Sequence, residues 1–378
     1  MKTPYIFRLF AIAVALLVWI PAFGGRTGDP KDQPAPASML TNDVCRPILI
    51  NNIFNYSSNN GGGSFNPYSS NNQGFEFPKG VTGLTAIFQD GLVWGVKQRD
   101  TVKVGGSVYR HGLQAGPIIV SGTSASIPVA ADATNPAYRV YRVRRDIPPL
   151  PGVSDPNSPE AAGEREILLN EETSLIGRYE TVNAAQLLQQ YWDDWNGWPA
   201  SLGAPYTDVD RNGTYDPSID VPGPPLADQA LWYVANDLSW VRSMNLAGST
   251  PIGLEMQRSV WAHRRAGVLG DAIFQSSRVI NKSGVPLDSV YLVQWADPDV
   301  GDAGDDLVGC DTLLGLGFAY NGETVDMQYG STPPAVGFLL LQGPVVPGAP
   351  TDTALYGFSR RPGYRNLPLS AFNFFSSG

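Results

Sequence analysis

Between Asp208 and Asp220 the chain reads Asp-Val-Asp-Arg-Asn-Gly-Thr-Tyr-Asp-Pro-Ser-Ile-Asp, with oxygen-bearing side chains at alternate places: Asp208, Asp210, Asn212 and Asp216. Calcium takes six to eight oxygens at about 2.3–2.6 Å, and short loops supply them from positions 1, 3, 5 and 9, with a backbone carbonyl from position 7. Thr214 stands at that seventh place and Gly213 at the sixth, where the sharp turn needs glycine. The last ligand departs from the pattern. Position 12 is Ile219, and the closing carboxylate, Asp220, comes one place later. Pro217 disfavours the helical region for Asp216, so no helix is expected to leave the loop there. The segment is read as a calcium loop with ligands Asp208, Asp210, Asn212, Thr214, Asp216 and Asp220. The plain alternative is an acidic Asn-Gly turn that holds no ion.

A second acidic run, Asp297, Asp299, Asp302, Asp305, Asp306 and Asp311, follows directly after an expected strand. Like charge at that density favours a cation as counterweight, which makes these six a possible second metal site. The other reading is a solvated loop whose carboxylates cap local turns. Trp192, Trp195 and Trp198 lie beside Asp193 and Asp194, with Asp237 and Glu255 further on. Exposed rings would stack on a glycan, and a pair of those acids could hydrolyse a glycosidic bond. At helical spacing, however, such rings are ordinarily the core of a docked helix. His111 and His263 have neither a Gly-x-Ser-x-Gly nor a His-Glu-x-x-His context, which sets aside serine hydrolase and zinc protease chemistry. Arg139, Arg142, Arg144 and Arg145 could meet an acidic glycan, although in an acid-rich chain such residues more often pair with Asp and Glu across a sheet. No catalytic residue is named.

The composition frames these sites. A net charge of −9 over 378 residues argues against a nucleic-acid surface and suits a divalent-cation binder. Charged residues make up only 16% against 41 Gly and 32 Pro, a balance that favours turn-rich β structure. With two His and two Cys, zinc sites built from those ligands are nearly excluded. Lys2, Arg8, the apolar run Leu9 to Ile20 and Ala22-Phe23-Gly24 read as a signal peptide over 1–24, followed by a Pro-rich linker over 25–42. The mature protein is thus expected to be exported, with no membrane span after signal removal. Cys45 and Cys310 then either form a disulfide or remain two separate thiols.

The elements that must hold the loop follow from periodicity. Leu84–Phe88 and Leu92–Val96 flank Asp90-Gly91, and Thr101–Val104 and Ser107–Arg110 flank Gly105-Gly106, so two consecutive hairpins are expected. The segment 43–146 is read as a β meander, with a further strand over Tyr138–Arg144. Ser158-Pro159-Glu160 signals a short helix. Thr181 to Trp195 carries Ala184, Leu187, Leu188, Tyr191, Trp192 and Trp195 at spacings of three and four, which predicts an amphipathic helix just before the acidic loop. Residues 147–230 are therefore a helical insertion with the calcium loop. From 231 to 378, strands return at Leu231–Ala235, Leu254–Ala262, Ala272–Ile280, Val290–Trp295, Leu313–Tyr320 and Val336–Leu341, with a hairpin expected at Asn281-Lys-Ser-Gly284. The fold class expected is mainly β: an antiparallel, jelly-roll-like β-sandwich with that insertion.

The loop resembles the calcium loops of dockerins and thrombospondin type 3 repeats, apart from its last ligand. Gly74-Phe-Glu-Phe-Pro-Lys-Gly80, Asp193-Asp-Trp-Asn-Gly-Trp-Pro199 and Trp295-Ala-Asp-Pro-Asp-Val-Gly-Asp302, with shorter phrases such as Trp94-Gly95 and Ala227-Asp-Gln229, resemble large, mostly uncharacterised exported proteins of Bacteroidota-type Gram-negative bacteria. That resemblance implies an extracellular or cell-surface location and, in many members, a C-terminal domain for type IX secretion. No such domain is present in this sequence. With Phe374-Phe-Ser-Ser-Gly378 forming no closing motif, the sequence is expected to be part of something longer. The resemblance carries no catalytic residues. The function expected is a non-enzymatic, calcium-stabilised surface, adhesion or structural protein; a carbohydrate-binding module or glycoside hydrolase is the alternative, and a filament or surface-layer subunit a third.

Overall fold

In a computed structural model, which describes residues 44–69, 73–119, 128–147 and 159–375, the chain is mainly β, with 39% strand and 15% helix. The segments read as signal peptide and linker lie outside the described residues, as do 148–158. Strands β1 (Cys45–Ile48), β2 (Phe54–Ser58), β3 (Phe75–Glu76), β4 (Thr85–Ile87), β5 (Gln89–Gln98), β6 (Thr101–Gly106), β7 (Gln114–Ala115), β8 (Ile118–Ile119), β9 (Val129–Ala130) and β10 (Tyr141–Arg144) come first. Helices α1 (Pro159–Ile176) and α2 (Ala184–Asn196) follow, then β11 (Tyr206–Thr207), β12 (Val221–Pro222), β13 (Gln229–Asn236) and helix α3 (Trp240–Ala247). Next are β14 (Leu254–Ala262), β15 (Ile273–Asn281), β16 (Asp288–Asp297), β17 (Asp306–Asp311), β18 (Leu316–Asn321) and β19 (Ala335–Leu339). The last are β20 (Val345–Pro347), β21 (Thr353–Tyr356), β22 (Ser359–Pro362) and β23 (Tyr364–Asn366).

The strands pair antiparallel. The sheets that matter here run β10-β13-β14-β15, with β7 also on β13, and β16-β5-β6. β13 is buried along its whole length because it has a core on each face. Leu231, Tyr233 and Ala235 pack with Trp94 and Val96 of β5 and with Leu254 and Met256 of β14. Ala230, Trp232 and Val234 pack on the other side with Trp195, Trp198, Tyr206 and Tyr215. Period-two alternation on a strand covered on both faces leaves no polar stripe, which is why the segment reads as continuously apolar.

The insertion is a connection between sheet neighbours. β10 and β13 pair directly, Tyr141 opposite Trp232, so residues 145–228 leave the sheet and return to it. α2 begins at a capping box in which Asn183 and Gln186 satisfy each other's backbone amides. Its apolar face buries Leu187, Tyr191 and Trp195. The pairings β10–β13 and β5–β16 also join the early and late β regions through shared sheets.

Three expected turns differ. Asp90-Gly91 is not a hairpin tip but part of β5, where a Gly91 side chain would collide with the Ser107 carbonyl. The reversal comes at Arg99-Asp100, with φ 48° and 65°, between the paired residues Gln98 and Thr101. A two-residue loop needs positive φ at both places whatever its residue types. Gly105-Gly106 closes β6 rather than turning it. Asn281 to Gly284 links β15 to β16, which pair with β14 and β5 and not with each other. Cys45 is buried in β1, and Cys310 is half-buried in β17 with no disulfide between them.

Candidate metal centre

The loop hangs from a short ribbon in which Tyr206 and Thr207 of β11 pair with Pro222 and Val221 of β12. This ribbon brings the two ends of the acidic run side by side. One oxygen from each of Asp208, Asp210 and Asp220 then lies within 4.8 Å of the others. Oxygens on one ion, each about 2.3–2.6 Å away, can be no more than roughly 5 Å apart. The three carboxylates are therefore close enough together to share one metal ion. Asp220 is 0% exposed, Asp208 half-buried and Asp210 exposed.

Backbone amides hold these carboxylates in place. Asp220 accepts from the Val209 amide at 2.8 Å on one oxygen and from the Asp216 amide at 2.9 Å on the other. Asp208 accepts from the amides of Gly213 at 2.8 Å and Asn212 at 3.1 Å. The Gly213 amide above all holds the Asp208 carboxyl below the usual carboxylate range. Gly213 has φ 78° and Arg211 φ 62°, which turn the backbone so that successive N–H groups face inward. The arrangement brings three carboxylates together with no cationic side chain among them, a donor set that could hold a metal ion.

The other expected ligands sit differently. The Asn212 oxygen accepts the Thr214 amide at 2.7 Å, and the Asn212 side-chain nitrogen donates to Asp210 at 2.7 Å. Thr214 is exposed. The Asp216 carboxylate folds onto the Ser218 amide at 2.8 Å and the Ser218 hydroxyl at 2.6 Å, and the Ser218 hydroxyl in particular lowers its pKa. Asp216 thus caps the turn created by Pro217, while Asp220 takes the inward place.

α2 locks onto the loop. The Trp195 indole donates to the Pro217 carbonyl at 3.0 Å, and Trp198 donates to Pro205 at 2.9 Å. Both rings are buried core residues, so the possible glycan platform at Trp192, Trp195 and Trp198 is not formed by these two; Trp192 is half-buried. The acids considered for hydrolysis are similarly engaged. Asp194 is buried against Arg139 at 2.7 Å and the Arg142 amide at 2.8 Å. Asp237 accepts the amides of Gly253 and Leu254, and Glu255 takes Lys282 and the Ile118 amide. Asp193 is exposed and bonded to Gln189.

Among the described residues, the second acidic run is not drawn into a comparable group of three. Asp297 accepts from the Tyr109 hydroxyl at 2.8 Å, Asp302 from the Gly304 amide, Asp306 from the Val300 amide and Asp311 from the amides of Leu313 and Leu314. Asp299 is buried, and Asp305 is half-buried with one carboxylate oxygen lacking a hydrogen bond. Asp326, not singled out in the sequence, is 1% exposed and accepts the amides of Asp302, Gln328 and Tyr329. Only its acidic character in a turn-rich stretch could have flagged it. Searches against known protein families, curated proteins and solved structures find no match, so function rests on this geometry.

Proposed function

We propose that the protein is an exported, calcium-stabilised β-sandwich with a non-enzymatic surface, adhesion or structural role. The observation that carries this reading is the convergence of Asp208, Asp210 and Asp220, the last fully buried. Calcium at that point ties the helical insertion to the strands it interrupts. The core shared by β5, β13 and β14 supports the sandwich, and the amino-terminal charge and apolar pattern support export. Extracellular calcium is commonly millimolar, so a loop with a Kd of roughly 10⁻⁴ M is largely occupied. Binding to the folded state alone then adds about 1.4 kcal/mol at that roughly tenfold excess over Kd. The test is thermal unfolding in calcium and in chelator. A higher Tm in calcium, lost in Asp208→Asn, supports the reading, and equal Tm values remove it. Among the described residues no helix is long and apolar enough to cross a membrane.

A further inference from the structure

We infer that the polar cavity between α1, β10 and the segment following β14 is a binding site for a small divalent oxyanion, a sulfate or phosphate group either free or carried on a sugar. The cavity, about 350 Å³, is lined by Lys79, Arg144, Arg264 and Arg265 against Glu171 and Glu172. In a chain with nine net negative charges, four cations around one cavity mark a local reversal of sign, and such a reversal concentrates anions. Its size falls in the range of small-molecule pockets.

The donors divide into spent and unspent. Arg144 is fixed by Asp146, at 3.0 and 2.9 Å, and by Glu172 at 2.6 Å. It therefore forms part of the wall rather than a ligand clamp. Lys79 donates one hydrogen bond to the Leu49 carbonyl at 2.9 Å, and an ammonium has two more to give. The Arg264 guanidinium reaches Asp146 at 3.3 Å while its backbone amide donates to Asp228 at 2.8 Å, and Arg265 is exposed. Glu171 is the counter-charge nearest Lys79, at 3.9 Å with its side chain 53% exposed, and a pair so placed is worth little. A doubly charged oxyanion outcompetes that carboxylate, because it meets Lys79 and the two arginines together and takes the planar N–H forks of arginine.

Inorganic sulfate is the probe, titrated calorimetrically into the full chain at constant ionic strength, with chloride as the monovalent control. A saturable heat with sulfate and none with chloride is expected. Arg265→Gln and Arg264→Gln should each weaken binding about tenfold, the loss of one charge-assisted contact. Glu171→Gln should tighten it, since only a repulsive neighbour is removed. These exposed positions leave Tm nearly unchanged, so a lost signal is not lost fold. A sulfated monosaccharide that binds more tightly than free sulfate identifies the carried group; equal affinity identifies the free ion. Absence of saturable sulfate binding, or binding indifferent to both arginine variants and to Glu171→Gln, overturns the site.

Discussion

The hydroxyl of Tyr215 donates to the backbone carbonyl of Trp195 at 2.7 Å. That carbonyl belongs to the last turn of α2, where intrahelical partners run out, and the donor sits in the middle of the acidic loop. Burial first, and then the charges of Asp220 and Asp216, push the Tyr215 pKa up, so the hydroxyl keeps its proton. With the Trp195 indole donating back to Pro217, helix end and loop are bonded in both directions. On the proposed reading, an ion held by the loop is coupled through these bonds to the packing of the helix.

Tyr215→Phe removes this hydrogen bond and leaves the ring against Tyr206, 5.4 Å between centroids. A loss of about 1 kcal/mol is expected, the net worth of one hydrogen bond, since the carbonyl then keeps the long contact from the Trp198 amide at 3.4 Å. Calcium affinity should fall as well, because the loop must then be ordered at the ion's expense. Chemical denaturation with and without calcium measures both. Equal losses in the two conditions would mean that loop and helix are energetically separate.

Asp220→Asn keeps an acceptor for Val209 but replaces one charged chelate arm with a group that presents an N–H to the other amide. Calcium-dependent stabilisation should disappear. Asp216→Asn, which alters only the turn cap at Ser218, should retain most of it. The Tm difference between calcium and chelator for the two variants tests the inward place of Asp220. The reverse ranking would restore the ninth position as the ligand.

Glu172 is 0% exposed and accepts from Arg144 and from the Tyr191 hydroxyl, each at 2.6 Å, with Arg142 3.3 Å away. Glu172→Gln leaves the buried Arg142 guanidinium without its charge partner and Arg144 with Asp146 alone, so a loss of about 3 kcal/mol is expected. Replacing Glu172, Arg142 and Arg144 together with apolar residues of similar volume should cost far less. Urea midpoints for the two variants decide it, and a single substitution milder than the triple one would refute the account.

The legible parts of the sequence were those determined by near neighbours. The spacing of Leu187, Tyr191 and Trp195 marked the helix, and Leu254–Ala262 is a strand over its expected span. The arginines of β10, Arg142 and Arg144, pair with Glu172, as an acid-rich chain suggests. Partners distant in sequence set what was missed. Asp326, not named from the sequence, is fixed in part by the Asp302 amide 24 residues away. Asp90 stays within a strand because Ser64 hydrogen-bonds it at 2.7 Å and Gly63 lies against it. Side-chain types alone do not encode those meetings.

The turn at Arg99 and Asp100 places two ordinary residues at φ 48° and 65°. Substituting Asn-Gly should stabilise the β5–β6 hairpin by up to about 1 kcal/mol, since those types enter the left-handed region more readily. The Lys97–Asp100 ion pair at 2.9 Å would be lost, but it is an exposed contact of small value. Denaturation midpoints check the gain, and a loss would show that the ion pair matters more than the backbone.

Asp306 responds to pH in the opposite sense to Asp208. Burial pushes it from 3.8 up to about 6, helped by the nearby charges of Asp299, Asp305 and Asp326 and opposed by the Val300 amide. A carboxyl whose folded pKa lies above its unfolded value binds its proton more tightly when folded. Its stabilising contribution is therefore complete below the unfolded pKa and lost as pH rises through about 6. Asp306→Asn keeps an acceptor for Val300 and cannot ionise, so its stability relative to the parent should climb between pH 4 and pH 7. Parallel pH profiles would refute this. The same titration followed in millimolar calcium separates the two readings of the acidic run. A cation held among Asp299, Asp305 and Asp306 favours the charged form and drives the midpoint down, whereas an unchanged midpoint leaves these carboxylates as caps of their own turns.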